Sequence, residues 1–156
     1  MLPGMLIVLL VPAVLQALAM LIDEAWYHRR RGLPRWERLG HPVDTLSVAL
    51  CYAWLLVRQP DEPYALHIYV ALAFASSLLV TKDEPVHARH CEPGEHWLHA
   101  VLFVLHPIVF VAFGVLWWSG DVWIITAQLA LTIALMIYQL VYWSLWWKPE
   151  PRIPAR

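Results

Sequence analysis

An all-α bundle of about five transmembrane helices is the fold this sequence predicts, and three observations predict it. The 156 residues are 60% hydrophobic and only 15% charged, with a mean hydropathy of +0.55, a balance that soluble domains do not reach. The apolar residues fall into five runs, at about 2–22, 42–58, 63–81, 97–118 and 121–147. Most of these approach the ~20 residues that a helix needs to cross a hydrocarbon layer of about 30 Å. Tryptophans collect at the ends of the later runs, with Trp117, Trp118 and Trp123 at one interface and Trp143, Trp146 and Trp147 near the other, as aromatic belts do.

The first run, LPGMLIVLLVPAVLQALAMLI, has no basic stretch before it and ends in Asp23-Glu24 rather than in small residues. It is expected to be a retained span and not a cleaved signal. The second run is the weakest. Counted from Thr45 it is too short to cross, and only a start at Pro42, a residue suited to a first helical turn, brings it within range.

Charge placement decides for a crossing. With five spans, Arg29, Arg30, Arg31, Arg35, Arg38, Lys82, Arg89, Lys148, Arg152 and Arg156 share one face and only Arg58 lies opposite. Without the second crossing the bias disappears, and lysine and arginine accumulate on the cytoplasmic side of short connections. The expected topology therefore has the N-terminus outside and the C-terminus cytoplasmic, in a bacterial-type inner (plasma) membrane. The remaining runs are long and continuous, and residues 1–156 read as a single integral membrane domain without internal repeats. A net charge of −1 says nothing about nucleic acid, and no basic cluster interleaved with aromatics argues for it, so no nucleic-acid partner is expected. Two cysteines, Cys51 and Cys91, make no disulfide framework.

Between the third and fourth runs lies TKDEPVHARHCEPGEHWLH, which holds four histidines and four carboxylates. A solvated connection needs charge but has no need of imidazole. In the five-span topology His28, His41, His87, His90, His96 and His99 all fall at cytoplasmic span ends, and carboxylates accompany them: Glu24, Asp44, Glu84 and Glu95. Residues three or four apart share a helix face. Glu24/His28, Glu95/His99, His96/His99 and the ExxH pair Glu84/His87 can thus each address one centre. Pro42 and Pro85 bias His41 and Glu84 out of helical geometry, and Glu92-Pro93-Gly94 reads as a tight turn that returns His87 and His90 towards His96 and His99.

Imidazoles mixed with carboxylates from four helix ends are how carboxylate-bridged di-iron and di-manganese bundles hold two metal ions. Carboxylates bridge and neutralise the cations, and imidazoles suit mid-series divalent ions. The candidate ligands are Glu24, His28, His41, Asp44, Glu84, His87, His90, Glu95, His96 and His99. His106, seven residues beyond His99 and ~10 Å deeper, is either a deep site residue or a core histidine bonded across helices, and Pro107 beside it suggests a local helix break. Cys91 lacks a CxxC partner and reads as an incidental thiol, and His67 reads as an interfacial residue on the opposite face.

The chemistry this ligand set favours is that of a di-iron oxidoreductase of hydroxylase, desaturase or oxidase type, acting on a lipid-soluble substrate that reaches the site laterally. The HxxxH and HxxHH boxes of membrane desaturases are absent, so the argument rests on ligand type. A zinc-dependent membrane lipid hydrolase is the first alternative, needing only three protein ligands and a water. A non-enzymatic metal- or haem-binding membrane subunit is the second. No nucleotide, flavin or iron–sulfur motif is present, so reducing electrons for an oxidase would come from a donor protein or a diffusible carrier.

Overall fold

The structure, a computed structural model, describes residues 3–147, apart from the side chains of Val86, Arg89 and His90. Among the described residues it is entirely helical. Helix α1 (Pro3–Ile22) continues through a π turn, Asp23–His28, into a closing α turn, Arg29–Arg31. Helix α2 spans Arg35–Val57. Helix α3 (Ala65–Leu79) tightens into a 3₁₀ turn, Val80–Asp83, and leads into the short α4, Glu84–His90. Helix α5 spans Pro93–Trp118, and α6 spans Val122–Val141 before a second π turn, Tyr142–Trp146.

Four of these segments are long and apolar enough to cross a membrane: Pro3–Arg31, Ala65–Asp83, Pro93–Trp118 and Val122–Trp146. The exception is α2. At 23 residues it has the length, but Glu37, Arg38, His41 and Asp44 make its first half polar. It packs along α6 and α3, with Leu39, Val43, Leu46 and Leu50 exposed; α1 packs along α5, and α3 and α6 lean on α5. The large apolar side chains of α1, among them Ile7, Val8, Leu15, Leu18 and Leu21, are exposed, as expected of a face turned to lipid.

Prolines behave differently here from their local bias. Helix α2 starts at Arg35, seven residues before Pro42, with the extended Pro34 as its N-cap. Pro42 is buried inside the helix and His41 is helical. Glu84 likewise has helical dihedrals, φ −52 and ψ −43, so Pro85 occupies a first helical turn, where its missing N–H costs nothing. Helix α5 begins at Pro93, with Glu92 as an extended N-cap, and runs through Pro107 without the expected break. At Pro42 and Pro107 the packing of α2 and α5 against neighbouring helices holds the backbone against a preference worth only a few kcal/mol.

Gly32 ends the first segment. Its φ of +74 is in the region that favours glycine, and a Cβ there would stand 2.6 Å from Cζ2 of Trp147. The apolar core lies towards the opposite end of the bundle. Tyr52, Leu55, Phe113, Leu116 and Ile125 are fully buried there, and Tyr69 donates its hydroxyl to the Phe110 carbonyl at 2.6 Å. Trp54 and Trp117 donate their indole N–H groups to the Ala65 and Arg58 carbonyls, at 3.0 and 2.9 Å. The aromatic end is thereby closed by hydrogen bonds, and the polar end is left to the histidines.

Candidate metal centre

The C-terminal end of α1, the N-terminal ends of α2 and α5, and α4 meet at one end of the bundle. The π turn is the local cause of the geometry there. In an α-helix Glu24 and His28 share a face and Asp23 does not. A turn closed by i→i+5 bonds aligns Asp23 with His28 as well, so Asp23, Glu24 and His28 are all buried and point inward together.

His28 is the hub. Its Nε2 lies 3.1 Å from Asp23 Oδ2 and 3.8 Å from Glu95 Oε1, and its Nδ1 lies 3.2 Å from Glu24 Oε2. His99 Nε2 is 2.9 Å from the same Asp23 oxygen. The His28 and His41 rings have centroids 4.8 Å apart, and those of His87 and His99 are 3.9 Å apart. Trp143 donates its indole N–H to Glu24. Arg31 places one guanidinium nitrogen 2.7 Å from Glu37 and 2.9 Å from Glu95.

These donors fall into groups compact enough for a single ion. Asp23, His28, Glu95 and His99 form one, all four buried; Glu37, His41 and His87 form another. The two sets share no residue. Glu24 with His28 and His41, and Cys91 with His87 and His99, form two further overlapping groups. Two atoms bonded to one ion at ~2.1 Å stand roughly 3.0–3.4 Å apart at tetrahedral or octahedral angles. The separations of 2.9 and 3.1 Å around Asp23 are close to that spacing.

Two observations make the cluster fit cations. Both ring nitrogens of His87, Nδ1 of His99 and Oδ1 of Asp23 are buried without a hydrogen-bond partner among the described residues. Each such orphan costs about 1–3 kcal/mol, an expense that bound ligands would remove. Charge is the second. Asp23, Glu24, Glu37 and Glu95 are each at most 7% exposed, and Arg31 is the one guanidinium that pairs with any of them among the described residues. Buried carboxylates in such excess favour positive charge beside them, which a bound cation would supply.

His87 is held neutral. Burial, with His99 and Arg31 nearby, lowers its pKa to about 3, which keeps a ring lone pair available to a metal near pH 7. Burial pushes the Cys91 thiol up to about 12. Cys91 nonetheless lies beside His87 and His99, close enough to share an ion with them.

The structure thus brings together Glu24, His28, His41, His87, Glu95 and His99 of the predicted ligands. It places others elsewhere. Glu84 pairs with His96 at 2.7 Å, in a contact where both side chains are more than 40% exposed, so the ExxH pair Glu84/His87 does not address one centre. Asp44 binds Lys82 at 2.6 Å beside the cluster, and Lys82 also holds Asp83, which accepts from Trp36. The His90 side chain lies outside the described residues. His67 is exposed near Tyr64, away from the cluster. His106 is bonded across helices, to Gln16 of α1 and Ser76 of α3.

Asp23 and Glu37 are the candidate donors that spacing alone missed. Asp23 needs the π turn. Glu37 had a signal, because Glu37/His41 repeats the i,i+4 pairing of Glu24/His28 and Glu95/His99, but the start of the second span at Pro42 left it outside the helix.

A cavity of about 580 Å³ extends from this cluster into the bundle. Asp23, Glu24, His28, His41, His87 and His99 line its polar end, and Ala13, Val48, Leu102, Phe103, Val109 and Leu131 line its apolar length. The volume is that of a small-molecule site, typically about 300–1,000 Å³. Its exposed lining residues are Ala17 and Leu21 of α1, Ala25 and Arg29 of the turns that continue it, and Leu131 of α6. The opening is therefore the seam between the first and last helices. Comparison with protein-family models, with curated proteins and with solved structures finds no match to this chain.

Proposed function

We propose that the protein is a membrane-embedded metalloenzyme with a dinuclear His/carboxylate centre at the cytoplasmic membrane face, a di-iron oxidoreductase acting on a lipid-soluble substrate. One observation carries this reading. The cavity joins a cluster of imidazoles and carboxylates at one end to an apolar chamber open sideways between α1 and α6. A soluble-substrate site would open to water. This one opens across a seam whose exposed lining includes Leu21 and Leu131, the direction from which a hydrophobic molecule in a bilayer would come.

In this reading Asp23, His28, Glu95 and His99 hold one ion, and Glu37, His41 and His87 hold the other, with Glu24 placed beside His28 and His41. Two irons so held would supply dioxygen activation, using electrons from a donor protein or diffusible carrier. The chain's own residues do the rest. Arg31 orients Glu37 and Glu95 through charge-assisted bonds, and Trp143 orients Glu24; such outer partners fix ligand geometry. Leu102, Phe103 and Val109 line the chamber, aligning an alkyl or ring substrate against the cluster and excluding water.

A zinc-dependent lipid hydrolase is the second reading, and the proximity of Cys91 to His87 and His99 favours it, because thiolate and imidazole suit zinc. Elemental analysis of detergent-purified protein separates the two. About two irons per chain, lost in Asp23→Asn and His99→Ala, together with reductant-dependent oxygen consumption, supports the oxidoreductase. Stoichiometric zinc moves the assignment to hydrolysis. Absence of any stoichiometric metal, in protein prepared without chelator, overturns both.

A further inference from the structure

Deeper in the cavity than the metal centre lies a second polar feature, which that centre does not use. Gln16 Nε2 lies 3.3 Å from His106 Nδ1, and His106 Nε2 lies 3.2 Å from Ser76 Oγ. Ser76 Oγ lies 2.7 Å from Ser47 Oγ, and Ser47 donates to the Asp44 carbonyl at 2.7 Å. Gln16 and His106 both line the cavity, and His106 and Ser76 are 6% and 1% exposed.

The direction of every bond in this chain follows from its last member. A carbonyl only accepts, so the single Ser47 hydroxyl hydrogen goes to Asp44. Ser76 must then donate to Ser47 and accept from His106. That puts the imidazole proton on Nε2 and leaves Nδ1 as an acceptor, filled by the Gln16 amide N–H. The remaining polar atom of the chain is Gln16 Oε1, an acceptor that is buried without a partner among the described residues. The chain is polarised from end to end and lacks one donor, at a residue whose side chain lines the cavity; Oε1 itself is covered in this conformation, and a small shift of the Gln16 side chain opens it to a ligand.

We infer that Gln16 Oε1 receives the hydroxyl hydrogen of a membrane-soluble ligand, so that the cavity selects apolar molecules carrying an alcohol or phenol group. Gln16 stands seven residues before Asp23 on α1, and His106 seven after His99 on α5, each a helical rise of ~10 Å. The hydroxyl anchor and the metal cluster are thus separated by that distance along the cavity. Taken with the proposed oxidoreductase, on which this substrate assignment rests, the arrangement presents to the metals a carbon about 10 Å from the hydroxyl. A buried acceptor left unpaired penalises any analogue that has no donor.

The test compares 1-decanol, its methyl ether and decane for binding to the full-length protein in lipid vesicles, by equilibrium partition against protein-free vesicles of the same composition. Each is measured on metal-free and on metal-loaded protein. The alcohol is expected to bind about twofold to tenfold more tightly than the ether, with and without metal. In Gln16→Leu that preference should vanish while ether and alkane binding persist. Equal binding of alcohol and ether to the unaltered protein overturns the inference, and needs no variant to fold. A preference that persists in a protein shown to take no metal leaves the hydroxyl site standing and removes the enzyme reading. Stoichiometric metal without the preference does the reverse.

Discussion

Replacing Arg31 by glutamine tests the electrostatics of the cluster most directly. The Arg31 guanidinium contacts Glu37 at 2.7 Å and Glu95 at 2.9 Å, and these carboxylates are 0% and 1% exposed. Removing one partner of a buried ion pair leaves the other charge uncompensated, at a cost of about 3–5 kcal/mol. For a chain of this size each kcal/mol moves the melting temperature by about 2–4 °C, so metal-free Arg31→Gln should melt roughly 6–20 °C below the unaltered protein. Divalent metal should then recover more of the stability in the variant than in the unaltered protein, because the ion takes over the charge that Arg31 supplied. Thermal melts in detergent followed by tryptophan fluorescence, with and without metal, read both numbers. If metal-free Arg31→Gln melts within about 2 °C of the unaltered protein, Glu37 and Glu95 are not a buried anionic pair, and the charge argument for the metal centre fails.

Other consequences are as direct. His99→Ala and Asp23→Asn should abolish metal uptake, whereas His96→Ala and Glu84→Ala should retain it, because the Glu84–His96 pair lies exposed outside the cluster; elemental analysis of the four proteins decides. Stability of the metal-free protein should depend on pH through His87. The unfolded imidazole titrates near 6.5 and the folded one at about 3, so the unfolded chain gains a proton that the folded chain refuses. The contribution is full above about pH 6.5 and is lost towards pH 3, by up to ~1.4 kcal/mol per pH unit. Melting at pH 5 should therefore be lower than at pH 7, and His87→Gln should flatten that difference. Gly32→Ala should cost about 1–3 kcal/mol in melts, since φ of +74 and a Cβ 2.6 Å from Trp147 act together. Tyr69→Phe should cost about 0.5–1.5 kcal/mol by leaving the Phe110 carbonyl without its hydroxyl donor.

How much of this was legible in the sequence depends on the range of the interaction concerned. Helix class and approximate span limits follow from hydrophobic runs, because transfer of apolar surface is additive along a chain and needs no partner. The gathering of His28, His41, His87 and His99 at one end of the bundle follows too, since helices that alternate in direction return every second connection to the same side. The i,i+4 pairs Glu24/His28 and Glu95/His99 were readable as ligand pairs, because helical spacing is local geometry. Glu37/His41 carried the same signal and was hidden only by a wrong helix start at Pro42.

Tertiary structure alone decided the rest. The π turn that brings in Asp23 opposes the local preference for α geometry, and burial of Asp23 beside His28 and His99 accompanies it. Glu84 and His96 lie twelve residues apart on separate helices, and their pairing with each other instead of with the cluster is a matter of where α4 docks. Proline bias was overruled at His41 by packing that no local window contains, and at Glu84 by the place of Pro85 in a first helical turn. The cavity belongs to no segment at all, since its walls come from α1, α2, α4, α5, α6 and the turns between them. Local spacing determines which side chains share a helix face; only the packing of the helices determines which faces meet, and the chemistry of this protein lies where they meet.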